Sequence, residues 1–501
     1  MEDNVFSCTL FALFFIKKIR GYLKLNTRPK VRDEDYMSRE KELLKNTAVL
    51  GVGSFLPKLT TFITLPILTA CLTKAEYGTY DLISTLVMLI VPIATLQIQS
   101  AAFRFLIDCR GNKVESAEII SNIFAVTLPA TILVSFIVQF FFIKVSIASR
   151  IGIAVYFVLD TLYLTMGQIT RGLGKNKEYS IASIVLSSVN MVCVVATVQM
   201  AKQGLSGVLF ALCFSNLLAI IYLSYSSNIL SYLETSKVSG TKIKELLSYS
   251  WPMVPNNLST WVLKLSDRLI ITAFLGVEAN AVYSVANKIP NILSLAQSVL
   301  VMAWHENASI AVDDVDVNRY YTEMLDTTFS LMFGCTALLI AGTPIMFWLL
   351  IRGDYAEAYY QMPLLILAMF FFVMSSFFGG IYIAHKRTAN VGLTTVIAAV
   401  INLSIDLIFV NKIGIWAGSI STLVAYFVLY IYRMFNIQKF QPIHVNYLKQ
   451  ILQIAGLVVM LAMCYMQNKV LNVINMALGM LLFYTFNKQM IKHIANKFVI
   501  K

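Results

Sequence analysis

Residues 359–383 read YYQMPLLILAMFFFVMSSFFGGIYI, an unbroken run without one charged side chain. Charge returns on both flanks, at Arg352, Asp354 and Glu357 before it and at Lys386 and Arg387 after it. A helix of about 20 apolar residues crosses the hydrocarbon core of a bilayer. Lipid offers the backbone no hydrogen-bond partners, so a single spanning segment closes its own bonds as an α-helix. Scanning outward for runs of this kind gives fourteen spans. They lie near 46–72, 80–101, 119–143, 148–170, 179–200, 204–226, 249–276, 281–303, 325–351, 359–383, 388–410, 413–435, 446–467 and 470–486.

The composition has the same meaning. Of 501 residues, 58% are apolar and only 13% charged. A soluble domain is about one quarter charged, so an ordinary globular enzyme, a disordered chain and a coiled coil are all excluded. The expected fold is an all-α polytopic membrane protein of about 14 transmembrane helices. The seven cysteines are scattered without a CxxC pair, and the four histidines are far apart. Neither a disulfide framework nor a metal site is expected, nor any nucleotide-phosphate or nucleophile motif, so no cofactor and no metal are assigned. The aromatic residues, 24 Tyr and 32 Phe among them, are expected mostly at lipid-facing and interfacial positions.

Orientation follows from the basic residues. Of the 40 Lys and Arg, 29 fall before the first span, in the even-numbered connections or after the last span, against seven on the opposite side. By the positive-inside rule both termini are cytoplasmic. The net charge of +13 is then an orientation signal and an attraction to anionic lipid headgroups, and no nucleic-acid partner is needed to explain it. Residues 1–36 form an N-terminal cytoplasmic or interfacial extension. Two readings of it stand: an amphipathic basic segment on the inner leaflet, or translation beginning at Met37.

The chain also repeats itself. At an offset of 203, Leu43-Leu44 falls on Leu246-Leu247, Ile67–Leu72 on Ile270–Leu275, and Tyr80 on Tyr283. Six spans separate the copies, an even number, so both copies face the same way. Parallel repeats place a pseudo-twofold axis along the membrane normal and a binding site between the halves. The expected division is an N-lobe of six helices over 37–226, a cytoplasmic linker over 227–248, a C-lobe of six helices over 249–435, and helices 13 and 14 with a basic tail over 436–501.

Charges inside the spans are expensive, about 2.5–3.5 kcal/mol each on insertion scales, and mark candidate sites. Lys58 lies in the first span, Lys264, Asp267 and Arg268 in the seventh, and Lys288 in the eighth. Asn257, Trp261, Lys264 and Arg268 follow a helical stripe. The offset maps it onto Ser54, Lys58, Thr61 and Leu65. One reading is structural, with Asp267 neutralising Lys264 and tying helices together. The other is a cationic cleft for an anionic headgroup, because these cations outnumber Asp267 and Asp81. Asp160 and Asp406 are buried by position and are candidates for ion coupling, although Asp406 has Asn402 one turn away as a simple partner. Pro57, Pro66, Pro252, Pro255 and Pro290 interrupt helices 1, 7 and 8, as hinges or as turns.

Particular segments carry a family likeness. Glu76-Tyr77-Gly78-x-Tyr80-Asp81-Leu82, Phe103-Arg104-Phe105, and Asp267-Arg268-x-Ile270 through Lys288-Ile289-Pro290 resemble the polysaccharide-transporter branch of the multidrug/oligosaccharidyl-lipid/polysaccharide exporter superfamily. Lys386-Arg387-Thr388 and Asn402 continue the likeness, which runs from about residue 38 to 435. It implies two six-helix lobes and two extra C-terminal helices, with helices 1, 2, 7 and 8 lining a cleft. It further implies a flippase, not an enzyme, that moves an undecaprenyl-diphosphate-linked oligosaccharide across the bacterial inner membrane for O-antigen, capsule or exopolysaccharide assembly. On that reading Lys58, Lys264, Arg268 and Lys288, with Asn257 and Trp261, bind the cargo. Arg104 guards the cytoplasmic mouth, and Asp267, Asp81 and Asp160 are coupling candidates. Membrane lipids and a polysaccharide polymerase are the further expected partners. The rival within the superfamily is a cation-coupled exporter of organic cations, whose cargo a surplus of Lys and Arg would repel.

Overall fold

The computed structural model describes Gly53 and residues 57–143 and 145–499. The expected extension 1–36, the start at Met37, the head of the first span and Ser54 lie outside the described residues. All regular structure among them is helical. The chain forms two compact units. The first reaches to Ala281 and takes in Leu350–Asp354, and the second comprises Val282–Leu349 and the chain from Tyr355 onward.

The first unit holds α1 (57–71), α2 (Lys74–Ala94), α3 (Ile98–Asp108), α4 (Lys113–Val138), α5 (Ile147–Gly172), α6 (Asn176–Val194), α7 (Gly204–Ser227), α8 (Gly240–Ser250) and α9 (Met253–Leu275). α10 (Val277–Lys288) begins there and runs across the unit boundary. Thus α9, the first full helix after the 227–248 linker, packs in the unit that also holds α2 to α7. The repeat boundary is a matter of sequence duplication and is distinct from this packing boundary.

Local chemistry explains the helix starts. Thr73 and Glu76 make a reciprocal capping box at the start of α2, satisfying two of the amides that a helix N-terminus leaves unpaired. The other carboxylate oxygen of Glu76 accepts from the amide of Leu205, 3.1 Å away, and so fastens the start of α7 to the start of α2. Several threonines inside the spans turn their hydroxyls onto the preceding turn, as Thr69 does to Leu65 and Thr127 to Ile123, which satisfies the hydroxyl within its own helix. The connector after α7 is held by two side chains of α4. Asn122 bonds the carbonyl of Lys237 and the amide of Ser239, and Ser121 bonds the carbonyl of Tyr232 and the amide of Glu234.

The second unit contains α11 (Asn291–Ala311), α12 (Val317–Leu350), α13 (Ala356–Ala384), α14 (Thr388–Ile413), α15 (Trp416–Ile437), α16 (Tyr447–Tyr465) and α17 (Lys469–Val499). Helix α13 is its axis and is buried along most of its length. Trp304 of α11 stacks on Phe377 at 4.3 Å and donates its indole N–H to the Phe377 carbonyl. Phe371 and Phe372 meet Tyr430 and Tyr426 of α15. The last two helices join the same core. Tyr359 bonds the Cys464 carbonyl, Asn475 the Met460 carbonyl, and Phe333 of α12 meets Phe486 edge-on.

Beside the aromatics at exposed positions, such as Phe136, Phe140, Phe435 and Trp348, others are buried within the protein. Trp304, Tyr77, Tyr321, Tyr355, Tyr382, Tyr430, Phe157 and Phe370 are among the largest fully buried side chains. In lipid, apolar burial alone does not draw helices together, so specific ring packing and ring-to-backbone bonds do that work.

Among the described residues, eleven helices are long and apolar enough to cross a membrane. This makes the chain a multi-pass membrane protein, with eleven of the fourteen expected spans meeting that measure. The exceptions are the first, seventh and eighth. The first is described only from residue 57 and carries Lys58, while α9 carries Lys264, Asp267 and Arg268. The eighth is broken into α10 and α11 at Ile289–Pro290. The three exceptions are the helices in which the sequence places its intramembrane cations.

Candidate functional site

The site is built on α1, α2 and α9 of the first unit. Helix α9 follows Trp251-Pro252, a turn in which Pro252 occupies the cap and Pro255 the first helical turn. This settles the two prolines as a start signal, where a missing N–H costs nothing. Pro290 likewise caps α11, and Pro66 alone of the five lies well within a described helix.

The helical stripe on α9 divides into two functions. Trp261 and Arg268, two turns apart, face α2. The indole N–H of Trp261 donates to the carbonyl of Thr85 at 3.2 Å, and Arg268 pairs with Asp81 at 2.7 Å. Asp81 is 2% exposed and the arginine side chain 11%, so the pair is largely sheltered. Asn280 of α10 reaches the second oxygen of Asp81 and the carbonyl of Gly78, each at 3.4 Å. Gly78 is needed for this approach, because a Cβ there would collide with the carbonyl oxygen of Val277.

Asn257 and Lys264 are exposed, as is Lys58 of α1. Lys58 lies close enough to Lys264 for its charge to act on it. Two like charges held near each other are stabilised by an anion placed between them. Arg268 is therefore a member of the α2–α9 contact, and Lys58 and Lys264 are the exposed cations of the site. Asp267 is buried on α9. Lys288 closes α10 and belongs to the second unit.

Arg104, the expected mouth residue, is exposed and bridges to Asp108 one turn on, at 2.6 Å. Beside it, burial and a hydrogen bond with Glu115 push the Cys109 thiol above its ordinary value. Asp160 on α5 lies within electrostatic reach of the Tyr156 hydroxyl. Tyr156 lies within electrostatic reach of Tyr80, which lies within reach of Asp81 and Arg268. The coupling candidates Asp160 and Asp81 thus each lie within electrostatic reach of a neighbouring tyrosine. In the second unit Ser421 links Asp406 and Asn402, donating to the first at 2.7 Å and accepting from the second at 3.0 Å.

Sequence reasoning did not single out Asn280, the Thr85 carbonyl or Tyr156. Asn280 had a signal, an uncapped amide in the segment between Gly276 and Pro290. A backbone carbonyl has none.

The model of the polysaccharide biosynthesis protein family matches residues 43–305, which includes every residue of this site and more than half of the chain. The chain belongs to the polysaccharide biosynthesis protein family. No curated protein matches it. Among solved structures, the fold of this family member resembles that of the lipid II flippase MurJ in an inward closed conformation. The TM-score is 0.66 at 15% identity, over 89% of this chain and all of that one. It also resembles an inward-facing multidrug resistance MATE transporter of the MOP superfamily, with a TM-score of 0.63 at 13% identity over 81% and 98%. A MOP superfamily transporter from Pyrococcus furiosus, described as having a binding pocket of reverse polarity, gives 0.54 at 14% over 79% and 95%. At these identities the likeness establishes the fold.

Proposed function

We propose that the chain is a flippase, and not an enzyme, that carries an undecaprenyl-diphosphate-linked oligosaccharide repeat unit across the bacterial inner membrane by alternating access. The product serves O-antigen, capsule or exopolysaccharide assembly, beside a polysaccharide polymerase, and both termini face the cytoplasm. The observation that carries this reading is the exposed pair Lys58 and Lys264, two cations near each other on helices of intramembrane character. A diphosphate and its sugars cannot enter hydrocarbon unaided, and paired cations offset the cost of drying the headgroup. Family membership and a fold shared with a lipid II flippase support the same cargo class.

In this reading Lys58 and Lys264 hold the diphosphate, Asn257 lines the approach, and Trp261 and Arg268, held by the Thr85 carbonyl and Asp81, fix the posture of α9. Lys288 is a further candidate cation for the cargo, and Arg104 stands at the cytoplasmic mouth. Asp160 carries the coupling ion, with Asp267 and Asp81 as the further candidates.

One observation favours a second reading, a cation-coupled exporter of organic cations. Asp81, which is buried, and Asp160, which is half-buried, lie within electrostatic reach of neighbouring tyrosines, in a fold shared with a multidrug transporter. The two exposed lysines oppose a cationic cargo.

Complementation separates the two. In a flippase-deficient strain the wild-type chain restores surface polysaccharide and the Lys58→Ala/Lys264→Ala double variant does not. Undiminished rescue by the double variant rejects the site. Drug resistance gained on expression, without glycan export, selects the second reading.

A further inference from the structure

The same end of the first unit that carries Arg104 presents a second group of cations, formed around the turn between α5 and α6. Arg171 closes the last turn of α5. Its guanidinium lies over the Phe103 ring at 4.8 Å and over the Tyr179 ring at 5.4 Å. Its Nε is buried without a hydrogen-bond partner, and its one hydrogen bond, from Nη1 to Gln168, is long at 3.4 Å. Arg110 reaches the same turn, donating to the carbonyls of Gly172 at 2.8 Å and Arg171 at 3.2 Å. Lys175 donates to the carbonyl of Ser226 at 3.3 Å.

These three cations stand without the acid partners that several of their neighbours have. Lys242 pairs with Glu245, Lys237 with Glu234 and Arg104 with Asp108. Among the described residues no carboxylate pairs with Arg110, Arg171 or Lys175. Attraction to the end of α5 accounts for a cation there, and Arg110 spends its donors on the carbonyls of that end. It does not account for Arg171. Two aromatic rings hold its planar group, and a ring face accepts no conventional N–H···O bond, so its N–H donors remain to be satisfied elsewhere. An edge of parallel N–H donors is the shape that forks onto two oxygens of a phosphate.

We infer that Arg171, held against the rings of Phe103 and Tyr179 and backed by Arg110 and Lys175, is a docking site for a membrane-anchored phosphate headgroup. Two sources share this chemistry: the diphosphate of the lipid-linked cargo, before it reaches Lys58 and Lys264, and the phosphate of an anionic phospholipid. The first source rests on the flippase reading above. The second does not.

The test uses the full chain in zwitterionic lipid nanodiscs. Its affinity for a polyprenyl diphosphate and, separately, for phosphatidylglycerol is read by native mass spectrometry. Loss of a charge-assisted fork weakens binding by about tenfold or more, and this is the result expected for Arg171→Gln on at least one of the two lipids. Lys242→Gln removes an equal charge from the same end and leaves both affinities unchanged. If Arg171→Gln does not fold, Arg171→Lys decides, since it keeps the charge and loses the fork, and its affinity is expected to fall several-fold. Unchanged affinity for both lipids in the folded Arg171 variant, or an equal loss in Lys242→Gln, overturns the inference. Loss confined to the diphosphate assigns the site to cargo, and loss confined to phosphatidylglycerol assigns it to the bilayer. Flipping measured in parallel keeps the two readings apart, because Arg171-dependent phosphatidylglycerol binding survives even where no oligosaccharide is moved.

Discussion

Arg268 of α9 and Asp81 of α2 are joined at 2.7 Å, with Asn280 on the second carboxylate oxygen. The pair lies 187 residues apart in the chain and fixes the face that α9 presents. Removing one partner leaves an uncompensated sheltered charge, at a cost of about 3–5 kcal/mol. Asp81→Ala and Arg268→Ala are each expected to lower the thermal midpoint of the purified protein sharply. The exchange Asp81→Arg/Arg268→Asp should recover part of that loss. Additive losses in the exchange variant would show that the two residues act separately.

Gly78 lets α2 approach the turn at Val277. Gly78→Ala puts a methyl group against a backbone carbonyl, which cannot step aside as a side chain can. The expected loss is about 1–3 kcal/mol, read as a lower midpoint together with reduced transport. A neutral Gly78→Ala would mean that α2 and the α9–α10 turn are farther apart than described.

Lys58 and Lys264 repel each other when no anion is bound. Replacing Lys58 with Met keeps the volume and removes the repulsion. The two readouts should therefore move in opposite directions: an equal or higher thermal midpoint and a loss of polysaccharide export. A midpoint that falls with export would assign Lys58 a structural role.

Burial and Glu115 raise the Cys109 thiol, so less of it is thiolate at neutral pH and alkylation is slow there. In a chain keeping Cys109 as its single cysteine, the maleimide labelling rate should climb only at alkaline pH. Glu115→Gln removes the carboxylate's share of the effect and should move the profile toward lower pH. Superimposable profiles would exclude Glu115 as a cause.

The all-helical membrane fold was legible because an uncharged run such as 359–383 has one stable form in lipid. The special character of helices 1, 7 and 8 was legible too, since Lys58, Lys264, Arg268 and Pro290 stand out against apolar surroundings. The division of the α9 stripe was hidden. Periodicity places Trp261, Lys264 and Arg268 on one side of a helix, but which of them meets α2 depends on Asp81, 187 residues away. The aromatic core of the second unit was hidden for a related reason. Phe and Tyr are equally at home against lipid and against each other, and only the partner helix decides. The break of the second expected span at Thr95–Gln97, where Leu96 and Gln97 take positive φ, carries no glycine to announce it.

The most direct test of the account is translocation of an undecaprenyl-diphosphate-linked oligosaccharide in proteoliposomes that hold only this protein. The account predicts transfer between leaflets by the wild-type chain and none by Lys58→Met/Lys264→Met, with the variant still folded. Transfer at the wild-type rate by the folded double variant would contradict it.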